Sequence, residues 1–311
     1  MLTRRSLLTA LCAAPFAQAA ARQWTLGANT AVEGYSLTDA IRLIRETGFP
    51  AIEIHPMGRP EPTPGKFPGF EFDKLSASAR RAIRKQLSAF RVVTAHLPYT
   101  GLDHMAEDAG IRHASRRTVE IAMEGAAFFG AARAVLHAQP IPEEQLAARW
   151  QEYMELYGKW ADKARSLGFE IAMETGYPRS IAGYVKMIQQ VNHPSFGATI
   201  DVGHQARYAE LTARVKPEQR STPEAIRAYN DTTIEIVERL ARKVLHLHVH
   251  DIDPNTWQEH KPMVHGFVDY GRLFATLRKV DYRGILMFEI GGPASEMRRY
   301  LTEGKAKLAL L

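Results

Sequence analysis

Cysteine is almost absent from this chain of 311 residues, which contains only Cys12. That residue lies in an amino-terminal segment with the features of a cleaved export signal. The rest of the chain therefore offers no disulfide, no thiolate ligand for a metal and no cysteine nucleophile. Any metal ion bound by the mature protein must be held by His, Asp and Glu side chains.

The sequence also lacks long apolar runs and a strong excess of one charge. After the first twenty residues, no stretch approaches the roughly 18 uncharged apolar residues that a membrane-spanning helix requires. Apolar residues make up 45% of the chain and charged residues 24%, which is typical of a globular protein and excludes a mostly disordered one. The formal net charge of +6 is a weak basic excess, so we expect no nucleic acid as a partner.

The first nineteen residues have the organisation of an export signal. Arg4 and Arg5 precede an apolar run that starts at Leu7, and Ala17 and Ala19 form an A-x-A cleavage pattern. The opening Thr-Arg-Arg-Ser-Leu-Leu resembles a twin-arginine signal, with a general secretory signal as the alternative. Cleavage removes two of the 40 basic residues and no acidic one, which leaves a net charge of +4. We expect a periplasmic or exported protein with no stable membrane insertion after cleavage.

Short strand-like runs alternate with longer helical patterns along the rest of the chain. Eight such units in alternation indicate a parallel sheet that closes into a (β/α)8 barrel, with a doubly wound open sheet as the alternative. We therefore expect a single TIM barrel over residues 20–311. The predicted strands are 24–28, 51–55, 92–96, 134–137, 170–174, 196–201, 244–250 and 284–290. The predicted helices are 37–47, 72–90, 109–130, 143–167, 180–191, 223–241, 271–280 and 294–308.

Carboxylate and imidazole side chains end six consecutive predicted strands, from the third to the eighth. The carboxyl ends of barrel strands surround one opening, so these residues converge on one pocket. Such a cluster is unfavourable when empty, because like charges and unpaired polar groups lie close together. A divalent cation removes that cost, and nitrogen and oxygen ligands without sulfur suit Zn, Mn, Co or Fe, and less well Mg. The residues are His96, His137, Glu174, Asp201 with His204, His246 with His248 and His250, and Glu289.

In order and spacing, these residues resemble the xylose-isomerase-like barrel superfamily, from about residue 24 to residue 289. The superfamily includes sugar-phosphate isomerases and epimerases, ketose 3-epimerases, inosose dehydratases and apurinic-site endonucleases of the endonuclease IV type. After the seventh strand, Gly266-Phe-Val-Asp269-Tyr270 resembles the Gly-x-x-Asp-aromatic step of that superfamily into its next helix.

The resemblance implies a metal site and a set of substrate contacts. His248 is preferred as the ligand from the seventh strand because it stands three residues before Asp251, while His246 and His250 share its face and remain alternatives. The implied ligands of one divalent metal ion are Glu174, Asp201, His248 and Glu289. The implied substrate-binding residues are His96, His137, His204, His250 and His260.

We therefore expect a metal-dependent sugar isomerase or epimerase that acts through an enediolate on a small sugar-like molecule. Glu174 and Glu289 would lie on opposite sides of this intermediate, one removing the proton from carbon and the other returning it. A lyase acting on a keto-sugar or keto-inositol begins with the same step and is an alternative.

Two further alternatives and two departures from the superfamily pattern remain. The additional histidines favour a multi-zinc phosphodiesterase of the endonuclease IV type, but Gln258 stands where that group has an Asp ligand. A barrel that binds sugar or metal without turnover is the other alternative. Ketose 3-epimerases usually have an Arg shortly after the strand-seven His, where this chain has Ile252, Asp253 and Pro254. The oligomeric state stays open.

Overall fold

The computed structural model describes residues 24–63 and 65–311, and within them eight parallel strands form a closed barrel. The strands follow chain order around the barrel, and β8 pairs with β1. This closure confirms the predicted (β/α)8 fold and excludes the open sheet. The strands are β1 Thr25–Asn29, β2 Ala51–Ile54, β3 Val92–His96, β4 Ala131–Leu136, β5 Glu170–Glu174, β6 Phe196–Asp201, β7 Val244–Val249 and β8 Ile285–Phe288. The export signal predicted for residues 1–19 lies outside the described residues.

Amphipathic helices connect the strands and cover the outside of the barrel. Most of them begin directly after a Ser, Thr or Asp whose side chain accepts a backbone N–H of the first turn, as Asp108 does for Ile111. The helices of the described residues are α1 Leu37–Glu46, α2 Ala77–Leu87, α3 Ala109–Phe128, α4 Glu143–Leu167, α5 Ile181–Val191, α6 Ala209–Thr212, α7 Pro223–Leu240, α8 Tyr270–Lys279 and α9 Met297–Ala309.

Two of the boundaries that differ from the sequence-based prediction have a local cause. The helix expected over 72–90 begins only at Ala77, because Ser76 caps it. The fourth strand begins at Ala131 rather than at 134, because Gly130 adopts a left-handed φ of 77° and ends the preceding helix. The polar segment 205–222 contains the short helix α6 and two 3-10 turns.

The apolar core lies between the sheet and the helices, whereas the polar residues gather inside the barrel. Tyr157 of α4 and Ile188 of α5 are fully buried in that outer layer. Glu53, Thr94 and His246 are equally buried. Inside the barrel, the carboxylate of Glu53 contacts both Thr94 and His246. No helix in the described part of the chain is both long and apolar enough to cross a membrane.

Candidate metal centre and substrate cavity

Strand register brings the acids and imidazoles of neighbouring strands together at the carboxyl end of the barrel. Asp201, the last residue of β6, pairs with His248 of β7. Glu174 is the last residue of β5, and Glu289 follows directly after β8. Glu174, Asp201 and His248 are at most 2% exposed. Residues separated by up to 115 positions in sequence therefore meet because their strands end at one mouth.

Glu174, Asp201, His248 and Glu289 form one compact group. One ligand atom from each lies within 4.8 Å of the others. Nδ1 of His248 is 2.8 Å from Oε1 of Glu174, 2.9 Å from Oε2 of Glu289 and 3.6 Å from Oδ2 of Asp201. Three carboxylates therefore face a single imidazole nitrogen.

A second group shares Glu174 with the first. Nε2 of His137 lies 2.6 Å from Oε2 of Glu174, and Nε2 of His96 lies 3.4 Å from the same oxygen. This oxygen is buried and has no hydrogen bond of acceptable geometry among the described residues. His96, His137 and Glu174 are close enough to one another to be possible ligands of a second cation.

His204 and His260 each have one ring nitrogen bound to the backbone. Nδ1 of His204 donates to the carbonyl oxygen of Thr175 at 2.7 Å, and Nδ1 of His260 donates to that of Glu289 at 2.9 Å. Nε2 of each ring is thereby left without a backbone partner and can hydrogen-bond to a ligand. Both residues line the cavity described below, together with His96 and His137.

His250 lies behind Asp201 rather than on the cavity wall. It is fully buried, and its Nε2 is 3.1 Å from Oδ1 of Asp201. Its Nδ1 is 3.0 Å from both the backbone N–H of His260 and the carbonyl oxygen of Asp251. Both ring nitrogens are therefore occupied by the protein. The expectation that His250 contacts substrate does not fit this position. The ring of His250 instead contacts Asp201 and orients its carboxylate.

The pKa values in the cluster show that its buried carboxylates depend on nearby positive charge. Burial disfavours ionisation of Glu174, but His137, His248 and His204 outweigh it and hold its pKa well below the usual range. For Glu289, burial is again opposed by His248 and His260, which lower the pKa to about 2. Burial lowers the pKa of His248, yet the surrounding carboxylates raise it well above the usual range. The carboxylates therefore stay ionised, with protonated imidazole supplying the charge that a cation would otherwise supply.

A cavity of about 680 Å³ opens above this cluster at the mouth of the barrel. Its floor includes Glu174 and Glu289, while Asp201 and His248 lie beneath it. The volume is within the range of pockets that bind small molecules. The rest of its wall includes His96, His137, His204, His260, Tyr99, Tyr177, Arg179, Arg207 and Glu259.

Two buried residues of the site region were missed by the sequence analysis. Glu53 contacts His248 at 3.0 Å from the side opposite the three carboxylates. The ring of His55 stacks on His96, with centroids 5.3 Å apart, and burial together with the neighbouring His96 lowers its pKa to about 4. Both occur in the apolar run Ala-Ile-Glu-Ile-His, where a charged residue two positions before a histidine indicates a shared inward face.

The donor set of the four-residue group fits a divalent cation. It supplies three carboxylates and one imidazole, without sulfur, which suits Mn, Co, Zn or Mg. The buried Oε2 of Glu174 has no hydrogen bond among the described residues, and thus an unused lone pair beside His96 and His137. A bound cation would occupy such lone pairs at the base of the cavity.

Comparison with known proteins identifies one family and many solved structures with a similar fold. The sequence profile of the xylose isomerase-like TIM barrel family matches residues 41–307. A solved D-tagatose 3-epimerase-like protein is 19% identical with a TM-score of 0.69, over 92% of this chain and 96% of that one. D-allulose 3-epimerase from Methylomonas sp. in complex with D-allulose is 15% identical, with a TM-score of 0.66 and coverage of 92% and 96%.

A third solved structure is similar over the whole of its length. The 3-keto-D-glucoside 4-epimerase from E. coli is 17% identical with a TM-score of 0.64, over 91% of this chain and all of that one. At such identities the structural likeness shows the fold alone. No curated protein matches the sequence.

Proposed function

This chain belongs to the xylose isomerase-like TIM barrel family, and we propose that it is a divalent-metal-dependent sugar isomerase or epimerase. The observation that carries the proposal is the group of three carboxylates and one imidazole within 4.8 Å of one another at the base of a cavity. The names of the similar structures, which are epimerases of D-tagatose, D-allulose and 3-keto-D-glucoside type, support the same reaction class.

In this proposal Glu174, Asp201, His248 and Glu289 hold the cation, which when bound polarises a carbonyl oxygen and stabilises negative charge developing beside it. Glu174 and Glu289 also line the cavity and come from different strands. One carboxylate removes a proton from the carbon next to the carbonyl group of the substrate. The other carboxylate takes up a proton from water and delivers it to the resulting enediolate from the opposite side, while the first releases its proton to water, so that solvent hydrogen enters the product. Whether the product is an isomer or an epimer depends on the carbon that receives the proton.

Several of the remaining cavity residues can bind the hydroxyl groups and the ring of a sugar. His204 and His260 each direct an Nε2 atom that can hydrogen-bond to a sugar hydroxyl group. Tyr99 is 41% exposed at the rim, with its ring 4.1 Å from that of His137, and offers an aromatic face. The charge of Arg207 is paired with Glu259 at 2.7 Å. We therefore propose an unphosphorylated sugar or sugar derivative as the substrate.

Deuterium incorporation tests the proposed reaction. The metal-loaded protein is incubated in D2O with a panel of ketoses and 3-keto-glycosides, and exchange at carbon is measured by NMR. We expect exchange in at least one substrate, and a loss of roughly 10²–10⁴-fold in the rate for Glu289→Gln. Glu107→Gln, at an exposed position outside the site, is the matched control and keeps the parent rate.

The result also has to separate catalysis from metal binding. Metal content of Glu289→Gln is therefore measured alongside its exchange rate. Loss of exchange with metal retained supports the proton-transfer role. No deuterium in any compound of the panel, with metal bound, would overturn the enediolate route.

Phosphodiester hydrolysis is a second candidate, favoured by the group of His96, His137 and Glu174, which could hold another cation. Against it, Gln258, which stands where the endonuclease IV type has an Asp ligand, is exposed and carries no charge. Elemental analysis separates the two proposals. One metal ion per chain supports the isomerase, whereas two or three zinc ions per chain with phosphodiesterase activity support hydrolysis.

We also propose that residues 1–19 direct this protein to the periplasm by the twin-arginine route. The proposal rests on Arg4 and Arg5 before the apolar run and on the A-x-A pattern that ends at Ala19. Replacing both arginines by lysine and fractionating the cells tests it. Retention of the variant in the cytoplasm is expected, and unchanged export of the variant points to a general secretory signal.

A further inference from the structure

Glu53 is a fully buried carboxylate that the proposed reaction does not use. It lies in β2, within the barrel and away from the cavity wall. Its Oε1 is 3.0 Å from Nε2 of His248. Its Oε2 accepts a hydrogen bond from Thr94 at 3.0 Å and lies 3.1 Å from Nε2 of His246. Burial of a carboxylate costs free energy unless neighbouring groups donate hydrogen bonds to it or carry a compensating positive charge.

His248 lies between two sets of carboxylates. Its Nδ1 faces Glu174 at 2.8 Å and Glu289 at 2.9 Å, while its Nε2 faces Glu53. A histidine that binds a metal through one nitrogen carries its proton on the other, and that proton is usually donated to a carboxylate or a carbonyl group. Glu53 is the acceptor that the structure supplies for Nε2 of His248.

We propose that Glu53 is a positioning residue that keeps the proton of His248 on Nε2, so that Nδ1 is free to bind the divalent ion. The inference rests on the metal site of the proposed function. Thr94 and His246 contact the second oxygen of Glu53 and thereby hold its carboxylate in place. Glu53 would also add a fourth negative charge near the metal site, on the far side of His248.

Metal affinity of the purified protein tests this role without a sugar assay. The metal-free protein is titrated with Mn²⁺, and free Mn²⁺ is followed by electron paramagnetic resonance. Glu53→Met removes the acceptor, so we expect Mn²⁺ to bind roughly 10–100-fold more weakly. Glu53→Gln keeps an acceptor oxygen and should recover part of this loss.

Thr276→Val is the matched control, because Thr276 is buried in α8 and its hydroxyl donates to the carbonyl oxygen of Arg272 within the same helix. We expect its Mn²⁺ affinity to stay close to that of the parent. A purely structural role for Glu53 would lower the unfolding temperature of folded Glu53→Met while leaving its Mn²⁺ affinity unchanged. That outcome would overturn the proposal.

A second measurement uses the unmodified sequence, in case the Glu53 variants do not fold. The protein is labelled with ¹⁵N-histidine and loaded with cadmium-113, and the ring nitrogens are observed by NMR. We expect one histidine with coupling between cadmium and Nδ1 and with a slowly exchanging proton on Nε2. Coupling to Nε2 of His248, identified by its loss in His248→Gln, would contradict the inference. Both measurements remain decisive when no sugar substrate is found.

Discussion

At the scale of single residues, burial lowers the pKa of a histidine that lies outside the carboxylate cluster. His104 follows β3 and is 4% exposed, with its ring 5.1 Å from that of Trp160. Burial, and then the charge of Arg116, lowers its pKa from 6.5 to about 3. His104 is therefore neutral in the folded protein near pH 7.

This shift predicts a loss of stability in mild acid. The unfolded chain protonates His104 below about pH 6.5, whereas the folded chain resists protonation down to about pH 3. The contribution of neutral His104 to the free energy of unfolding is thus complete above pH 6.5. Below that pH it falls by about 1.4 kcal/mol per pH unit, which amounts to a loss of about 2 kcal/mol at pH 5. Urea unfolding at pH 7 and pH 5 measures this difference.

Two variants isolate the contribution of His104 from those of the other titrating groups. His104→Gln should lose less stability between pH 7 and pH 5 than the parent does. His113→Gln, at an exposed position of α3, should behave like the parent. An equal loss in His104→Gln and the parent would refute the assignment.

At the scale of elements, the segment from Gly266 to Tyr270 ties the end of β7 to α8. Asp251 accepts the backbone N–H of Val268 at 3.0 Å, and Asp269 caps α8 by accepting that of Arg272 at 3.0 Å. The hydroxyl of Tyr270 donates to the carbonyl oxygen of His250 at 2.5 Å. The Gly-x-x-Asp-aromatic pattern noted in the sequence therefore holds the chain next to the carboxylate cluster.

Gly266 has no room for a side chain in this arrangement. A Cβ added there would overlap Oδ1 of Asp251 and lie 2.5 Å from the backbone nitrogen of Ile252. We expect Gly266→Ala to lower the free energy of unfolding by about 1–3 kcal/mol. Gly158→Ala is the matched control, since Gly158 lies inside α4 with open space around its Cα.

The two glycine substitutions are expected to change the free energy of unfolding in opposite directions. Alanine restricts the unfolded chain and favours a helix interior, so Gly158→Ala should raise the free energy of unfolding by about 0.5–1 kcal/mol. Denaturant titration of both variants measures the two changes. A Gly266→Ala variant as stable as the parent would show that the Asp251 contact can relax without cost.

At the scale of the whole molecule, a cation at the barrel mouth would connect strands from one half of the barrel. Its proposed ligands come from β5, β6, β7 and the end of β8. A ligand that binds the folded state alone adds about 2.7 kcal/mol of stability at a concentration 100-fold above its dissociation constant. We expect Mn²⁺ to raise the unfolding temperature of chelator-treated protein, as measured by calorimetry.

Asp201→Asn should reduce this increase in unfolding temperature, because it removes one of the three carboxylate charges. Glu107→Gln, which changes an exposed carboxylate, should retain the full increase. An identical increase in all three proteins would place the stabilising ion somewhere else on the molecule.

The barrel and the convergence of polar residues at its mouth could be predicted from the amino-acid sequence. Alternation of strands and helices is a local pattern, and parallel strands that follow one another bring all their carboxyl ends to one side. Glu174 and Glu289 could therefore be placed together before any coordinates were known. Gly130 and Gly168 follow the last residues of α3 and α4 with left-handed φ angles of 77° and 87°, which glycine adopts readily.

Tertiary structure alone decided the depth at which each histidine of β7 lies. His246, His248 and His250 alternate with apolar residues and share one face, so their spacing cannot separate them. Each step of two residues moves a side chain about 7 Å along the strand, and strand tilt and stagger set which level meets the neighbouring acids. His246 thus reaches Glu53, His248 reaches the three carboxylates, and His250 lies behind Asp201. The contact between Glu53 and His248, across 195 positions, depends on closure of the barrel.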